Sequence, residues 1–243
     1  MTCRKLIVFV GCQGAGKTTQ AFLLLNDLIS LGYNVCIASF IDYTIFHLKF
    51  IGLLGRLCRE NTIRVKFYED LPPSPSPSPE IYRRLFILLV LLHFVGFVIS
   101  SIKRKFLKFL YQLVVEHEGY VFKQFVDIYF LAIFAKIRSK SMADTLLRRF
   151  SMMLLSALLK DKILVVHLTA KKPNILKKRY IKRPHVEPTF YLCFQEKMYA
   201  KLIEYLARSR NIDVVNVDCN LPATKVHQLV TNAVRRSLME YPS

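Results

Sequence analysis

Gly11-Cys12-Gln13-Gly14-Ala15-Gly16-Lys17-Thr18 follows the apolar run Leu6-Ile7-Val8-Phe9-Val10 and leads directly into Thr19-Gln20-Ala21-Phe22-Leu23-Leu24-Leu25. It satisfies G-x-x-x-x-G-K-[ST] in the required setting, after a strand and before a helix. The glycines let backbone N–H groups curl around an anionic phosphate, and the following helix turns its positive N-terminal end toward the same ligand. Lys17 is expected to reach the β- and γ-phosphates of ATP or GTP, and the Thr18 hydroxyl to hold Mg²⁺. The nucleotide-binding set is therefore Gly11, Cys12, Gln13, Gly14, Ala15, Gly16, Lys17, Thr18 and Thr19. A P-loop after the first strand predicts an α/β fold with a central parallel sheet and helices on both faces.

The 243 residues suffice for one large α/β domain, and no composition break divides 1–243. Hydrophobic residues make up 53% of the chain and mean hydropathy is +0.29, so the core is unusually apolar or part of the surface meets lipid or a partner. The net charge of +19 calls for an anionic partner, which nucleotides, nucleic acid or an anionic membrane surface would each supply. The six cysteines include no C-x-x-C pair and no zinc-like Cys/His spacing, which points to a reducing compartment. Met1 to Lys5 lead into the first strand without a secretory h-region, in keeping with a cytoplasmic nucleotide enzyme. Cys12, inside the loop, reads as a small packed side chain.

Outward from the loop, a helix is expected from about 17 to 31, with Gly32 as its C-cap and a second strand at 34–39. Residues 43–58 have a helix-like apolar distribution, and the Pro/Ser-rich stretch 71–79 reads as an extended connection. Ser78-Pro79-Glu80 then carries the signals of a helix start. The apolar helix from there, 80–102, is nearly uncharged between Leu85 and Ile99, with basic residues before and after it. Its apolar length falls between that of a buried helix and that of a bilayer crossing. A crossing would separate the P-loop from everything after residue 103, so a core helix is the preferred reading and a membrane-contacting one the alternative.

A third strand is expected at 111–115, ending in Glu116-His117-Glu118-Gly119, then two helices between about 121 and 160 divided at Arg138-Ser139-Lys140-Ser141. Strands at 162–168 and 212–218 flank a basic segment, 171–188, and a helix at about 189–209; the last helix spans 223–239.

This order resembles the thymidylate kinase-like branch of the P-loop nucleoside monophosphate kinases. The resemblance rests on Gly14-Ala15-Gly16-Lys17-Thr18-Thr19-Gln20, the strand ending at Glu116, the strand followed by a basic segment, and the helix containing Phe194-Gln195-Glu196-Lys197-Met198-Tyr199. It implies ATP and Mg²⁺ as cofactors, a mobile lid at 171–188 whose Arg179 or Arg183 reaches the phosphates, and Glu116 near the metal and the acceptor, with Glu118 as the alternative acid. It also suggests a homodimer paired through apolar helices. Lys17, Glu116, Arg179 and Arg183 are thus the expected catalytic set, and Thr18 and Glu116 the metal set.

The chain departs from the family at several places. Related kinases commonly follow the acid of the third strand with an Arg that binds the acceptor's phosphate, and here that position is His117, which cannot replace a bidentate Arg. Val10 and Gln13 stand where Glu and Asp are typical, and Ser39-Phe40-Ile41-Asp42 replaces an Arg-Glu-Pro-Gly turn. Phe40, Tyr43 and Arg56 could build an acceptor wall, or belong to the core. The expected activity is ATP-dependent phosphorylation of a nucleoside monophosphate, dTMP first. The rivals are a kinase of another acceptor, and a nucleotide-switched protein that binds nucleic acid or membrane.

Overall fold

The computed structural model describes residues 5–39, 79–170, 176 and 189–239. Five strands, β1 (Lys5–Gly11), β2 (Val35–Ala38), β3 (Leu113–Glu116), β4 (Ile163–Thr169) and β5 (Ile212–Asp218), form a sheet in the order β2-β3-β1-β4-β5. Every pairing is parallel. The helices are α1 (Lys17–Ser30), α2 (Pro79–Leu110), α3 (Tyr120–Phe134), α4 (Met142–Leu159), α5 (Thr189–Leu206) and α6 (Ala223–Met239). Strands buried on both faces need apolar residues at every position, and period-two alternation decides which layer each one enters. In β1, Ile7 and Phe9 pack with Leu24 and Leu28 of α1 and Val230 of α6, whereas Leu6, Val8 and Val10 join the cluster formed with α2, α3, α4 and α5.

Alternation also places Glu116. Leu113 and Val115 enter the α1/α6 layer, while Val114 enters the α2 layer, so Glu116, two residues further, lies on the side of α2.

The apolar helix is longer than the sequence suggested, running 32 residues to Leu110 rather than ending near 102. Lys103-Arg104-Lys105, expected to flank it, lies within its last turns, where long basic side chains are good helix formers that favour the negative end of the dipole. One face belongs to the core: Tyr82, Phe86, Leu89, His93, Phe97, Ser100 and Arg104 are all buried at i, i+3 or i+4 steps. Residues before Leu113 are correspondingly outside β3, which begins two residues later than expected.

Two glycines fix the crossing at the top of the sheet. A Cβ on Gly11 (φ +150°) would lie 2.5 Å from the Leu168 carbonyl oxygen, so β1 and β4 approach here as only glycine permits. Gly119 (φ +54°) brings the β3–α3 turn over β1, where a Cβ would meet Phe9 O and Val10 Cγ2, each at 3.0 Å. Gly11→Ala is expected to cost about 1–3 kcal/mol, the usual range for overpacking a rigid site. Thermal melts with and without ATP should show lower stability and a smaller nucleotide-induced shift.

Candidate functional site

The strand order reverses between β1 and β3, with β2 and β3 on one side of β1 and β4 and β5 on the other, and the crevice beyond the carboxyl ends of the strands at such a switch point is the usual ligand position in open α/β sheets. The loop at this point turns on Gly14 (φ +80°) and on Gly16, which takes a left-handed conformation (φ 90°, ψ 14°) at the N-cap of α1. That curl starts α1 directly after the loop, and a helix N-terminus offers its first backbone N–H groups to an anion. Lys17 folds back across the loop, its Nζ donating to Gly11 O and Cys12 O at 2.9 Å each. The side chain is thus already at the mouth of the loop. Thr18 and Thr19 are exposed in the first turn.

Cys12 is fully buried, as expected for a packed side chain. Its Sγ lies 3.1 Å from Glu196 Oε2 and 3.3 Å from Leu192 O, both on α5. Glu196 Oε1 accepts from the Ala170 N–H at 3.1 Å, one residue before the basic segment 171–188. One carboxylate therefore ties the P-loop to the point where that segment leaves β4.

At the end of β3, Glu116 is 1% exposed, and its Oε2 accepts from Arg104 Nη2 at 2.9 Å. Its Oε1 accepts from the Tyr120 N–H at the start of α3. Both oxygens are engaged, one by α2 and the other by the N-terminus of α3. His117, a poor substitute for arginine, follows β3 and reaches the first turn of α1: its Nδ1 lies 3.4 Å from Thr18 Oγ1. Glu118, half-buried, is next to it in the chain. The signal for His117 was present in its position after the strand, but the contact to Thr18 depends on the Gly119 turn and a separation of 99 residues.

Burial lowers the His117 pKa below its ordinary 6.5; Glu118 and Glu116 oppose the shift and the Lys17 charge adds to it. His167, buried in β4 with Nδ1 2.9 Å from Asn216 Oδ1, is lowered in the same direction by burial, against the opposing effects of Asn216 and Glu196. Below pH 6.5 the unfolded chain takes up protons at these rings that the folded chain resists. Their stability contribution is complete above that pH and is lost as pH falls through the lowered values. The thermal midpoint should drop between about pH 7.5 and 5.5, and His167→Gln should flatten that slope.

Arg179 and Arg183, like the acceptor-wall candidates Phe40, Tyr43 and Arg56, lie outside the described residues. No grouping of His, Cys, Asp and Glu among the described residues has the form of a protein-only metal site.

No family model matches the sequence, and no curated protein does either. Solved structures do share the fold. A thymidylate kinase from Candida albicans superposes with a TM-score of 0.58 at 16% identity, covering 96% of this chain and 91% of that one. A deoxyadenosine kinase from M. mycoides with bound dCTP gives 0.55 at 14% identity, covering 96% and 99%. The same enzyme with dCMP and dCDP gives 0.56 at 15% identity, with the same coverage.

Proposed function

We propose that this chain transfers the γ-phosphoryl group of ATP to a nucleoside monophosphate, with dTMP the first acceptor to test. The observation that carries the reading is the placement of Lys17 and Thr18 beyond the carboxyl end of β1, where the strand order reverses, with His117, the residue after β3, 3.4 Å from the Thr18 hydroxyl. A kinase needs its phosphate cradle and its acceptor-side strand end to converge there. The fold shared with a thymidylate kinase and a deoxyadenosine kinase supports the same reading.

The residues fit ATP and Mg²⁺: the glycine loop leads into the N-terminus of α1, the Lys17 ammonium sits at the mouth of the loop, and Thr18 is exposed beside it. Magnesium, when bound, neutralises charge on the β- and γ-phosphates. Thr18 would hold the ion. Glu116 was the expected second acid, but with Arg104 and the Tyr120 N–H on its two oxygens we assign it to fixing the strand end, and Glu118 to the metal's water shell. Arg179 and Arg183 are proposed as the lid cations that close on the moving phosphate, since they lie in the basic segment rooted at Ala170. Transfer of this kind needs positioning and charge neutralisation more than covalent help.

His117 favours a second acceptor class. A ring held neutral at pH 7 cannot take an acceptor's phosphate as an arginine would, but it suits an uncharged hydroxyl acceptor, and so a deoxynucleoside. Labelled ATP offered with Mg²⁺ to dTMP, the other monophosphates, the deoxynucleosides and water separates these readings. Label on a monophosphate supports the first proposal and label on a deoxynucleoside the second. Hydrolysis alone overturns both in favour of a nucleotide-switched binding protein.

A further inference from the structure

Opposite its buried face, α2 carries a second apolar stripe that is exposed along its length. Leu91, Val95, Val98, Ile102, Phe106 and Phe109 follow one another at steps of four, three, four, four and three, and lie on one side of the helix. Ile102, Phe106 and Phe109 are 64%, 60% and 69% exposed. From Leu91 to Phe109 the stripe is about 27 Å long, and so continuous an apolar patch marks an interaction surface.

The charge around it selects the partner. Among its 32 residues α2 has six Arg or Lys and a single carboxylate, Glu80 in the first turn. Near its C-terminal end the helix borders a cavity of about 590 Å³ shared with α4, where Phe97, Phe109 and Met153 meet Lys105, Lys108 and Lys160, while Arg104 on its wall is held by Glu116. Asp161 is the carboxylate there, and it is paired with Lys108 at 2.7 Å.

We infer that α2 lies in the plane of an anionic phospholipid surface, with the stripe among the acyl chains and the basic cavity against headgroup phosphates. Apolar residues on one side with cations alongside are the signature of a helix seated in the interface. The helix is long and apolar enough to cross a bilayer, but Phe86, Leu89 and Val90 are buried in the core beneath it, so lipid can reach only the outer face. A second copy fits poorly, because Arg83 and Arg84 at one end and Lys105 near the other would set cation against cation in either pairing direction. Nucleic acid would use the cations and leave the apolar stripe in water. The inference does not depend on the kinase reading.

Flotation of the full chain with vesicles of phosphatidylcholine alone, and of phosphatidylcholine with about a third phosphatidylserine, tests it, with light scattering for mass. The expected result is a monomer that floats with the anionic vesicles and not with the neutral ones. Ile102→Glu with Phe106→Glu should reduce partitioning at least about tenfold without lowering the thermal midpoint, since both side chains are exposed. Lys105→Glu with Lys160→Glu, which leaves the stripe intact, should remove the preference for anionic lipid. Equal flotation with both vesicles, or binding unaffected by the stripe variant, overturns the inference. So does a dimer dispersed by that variant, which would make a second copy the occupant. A monomer that never floats also overturns it.

Discussion

Lys17→Ala is expected to lower kcat/KM for phosphoryl transfer by about 10²–10³-fold or more, the scale on which an enzyme loses one preorganised donor to developing negative charge. The same substitution should leave the fold nearly untouched. The ammonium donates to Gly11 O and Cys12 O, both at 2.9 Å, and the side chain is half-buried, so water can replace it at these carbonyls. Net losses of this kind run to about 1 kcal/mol. The check is a pair of measurements on one variant: transfer from labelled ATP, and thermal melts with and without ATP. Loss of transfer with an unchanged ligand-free midpoint and a reduced ATP-induced shift is the expected outcome. Retained turnover would overturn the proposed function, and a collapsed midpoint would mean that Lys17 is primarily a structural brace of the loop.

What could be read from the sequence follows from the range of each interaction. The P-loop is a contiguous motif, and α6 was bounded correctly at 223–239 because an amphipathic repeat and flanking turn residues are local signals. The five strands are apolar runs for the same reason. The end of α2 was not legible, because Lys103-Arg104-Lys105 looks like a polar flank until Arg104 is seen turning inward to Glu116. Nor was the division of that helix between core and exposed stripes, since a segment apolar on every side hides its own periodicity. Glu116 and His117 are adjacent, yet strand alternation and the Gly119 turn send one beneath the sheet to α2 and the other to Thr18. That outcome depends on tertiary packing that no local pattern encodes.

The buried pair decides what Glu116 does. Side chains of Arg104 and Glu116 are 6% and 1% exposed, and removing one partner from such a pair strands the other charge in the interior, at a typical cost of about 3–5 kcal/mol. For a chain of 243 residues that corresponds to a fall in thermal midpoint of about 6–20 °C. Glu116→Gln and Arg104→Met are each expected to show it. The double variant is expected to recover most of the loss, because no charge is stranded and the glutamine oxygen can still accept from the Tyr120 N–H. Transfer activity then separates the two roles. If Glu116 fixes the strand end that carries His117, turnover should return along with stability in the double variant. If its carboxylate instead serves the metal or the acceptor, stability will return while turnover stays depressed, since glutamine restores the packing but not the negative charge. The engagement of both carboxylate oxygens within the fold leads us to expect the first result.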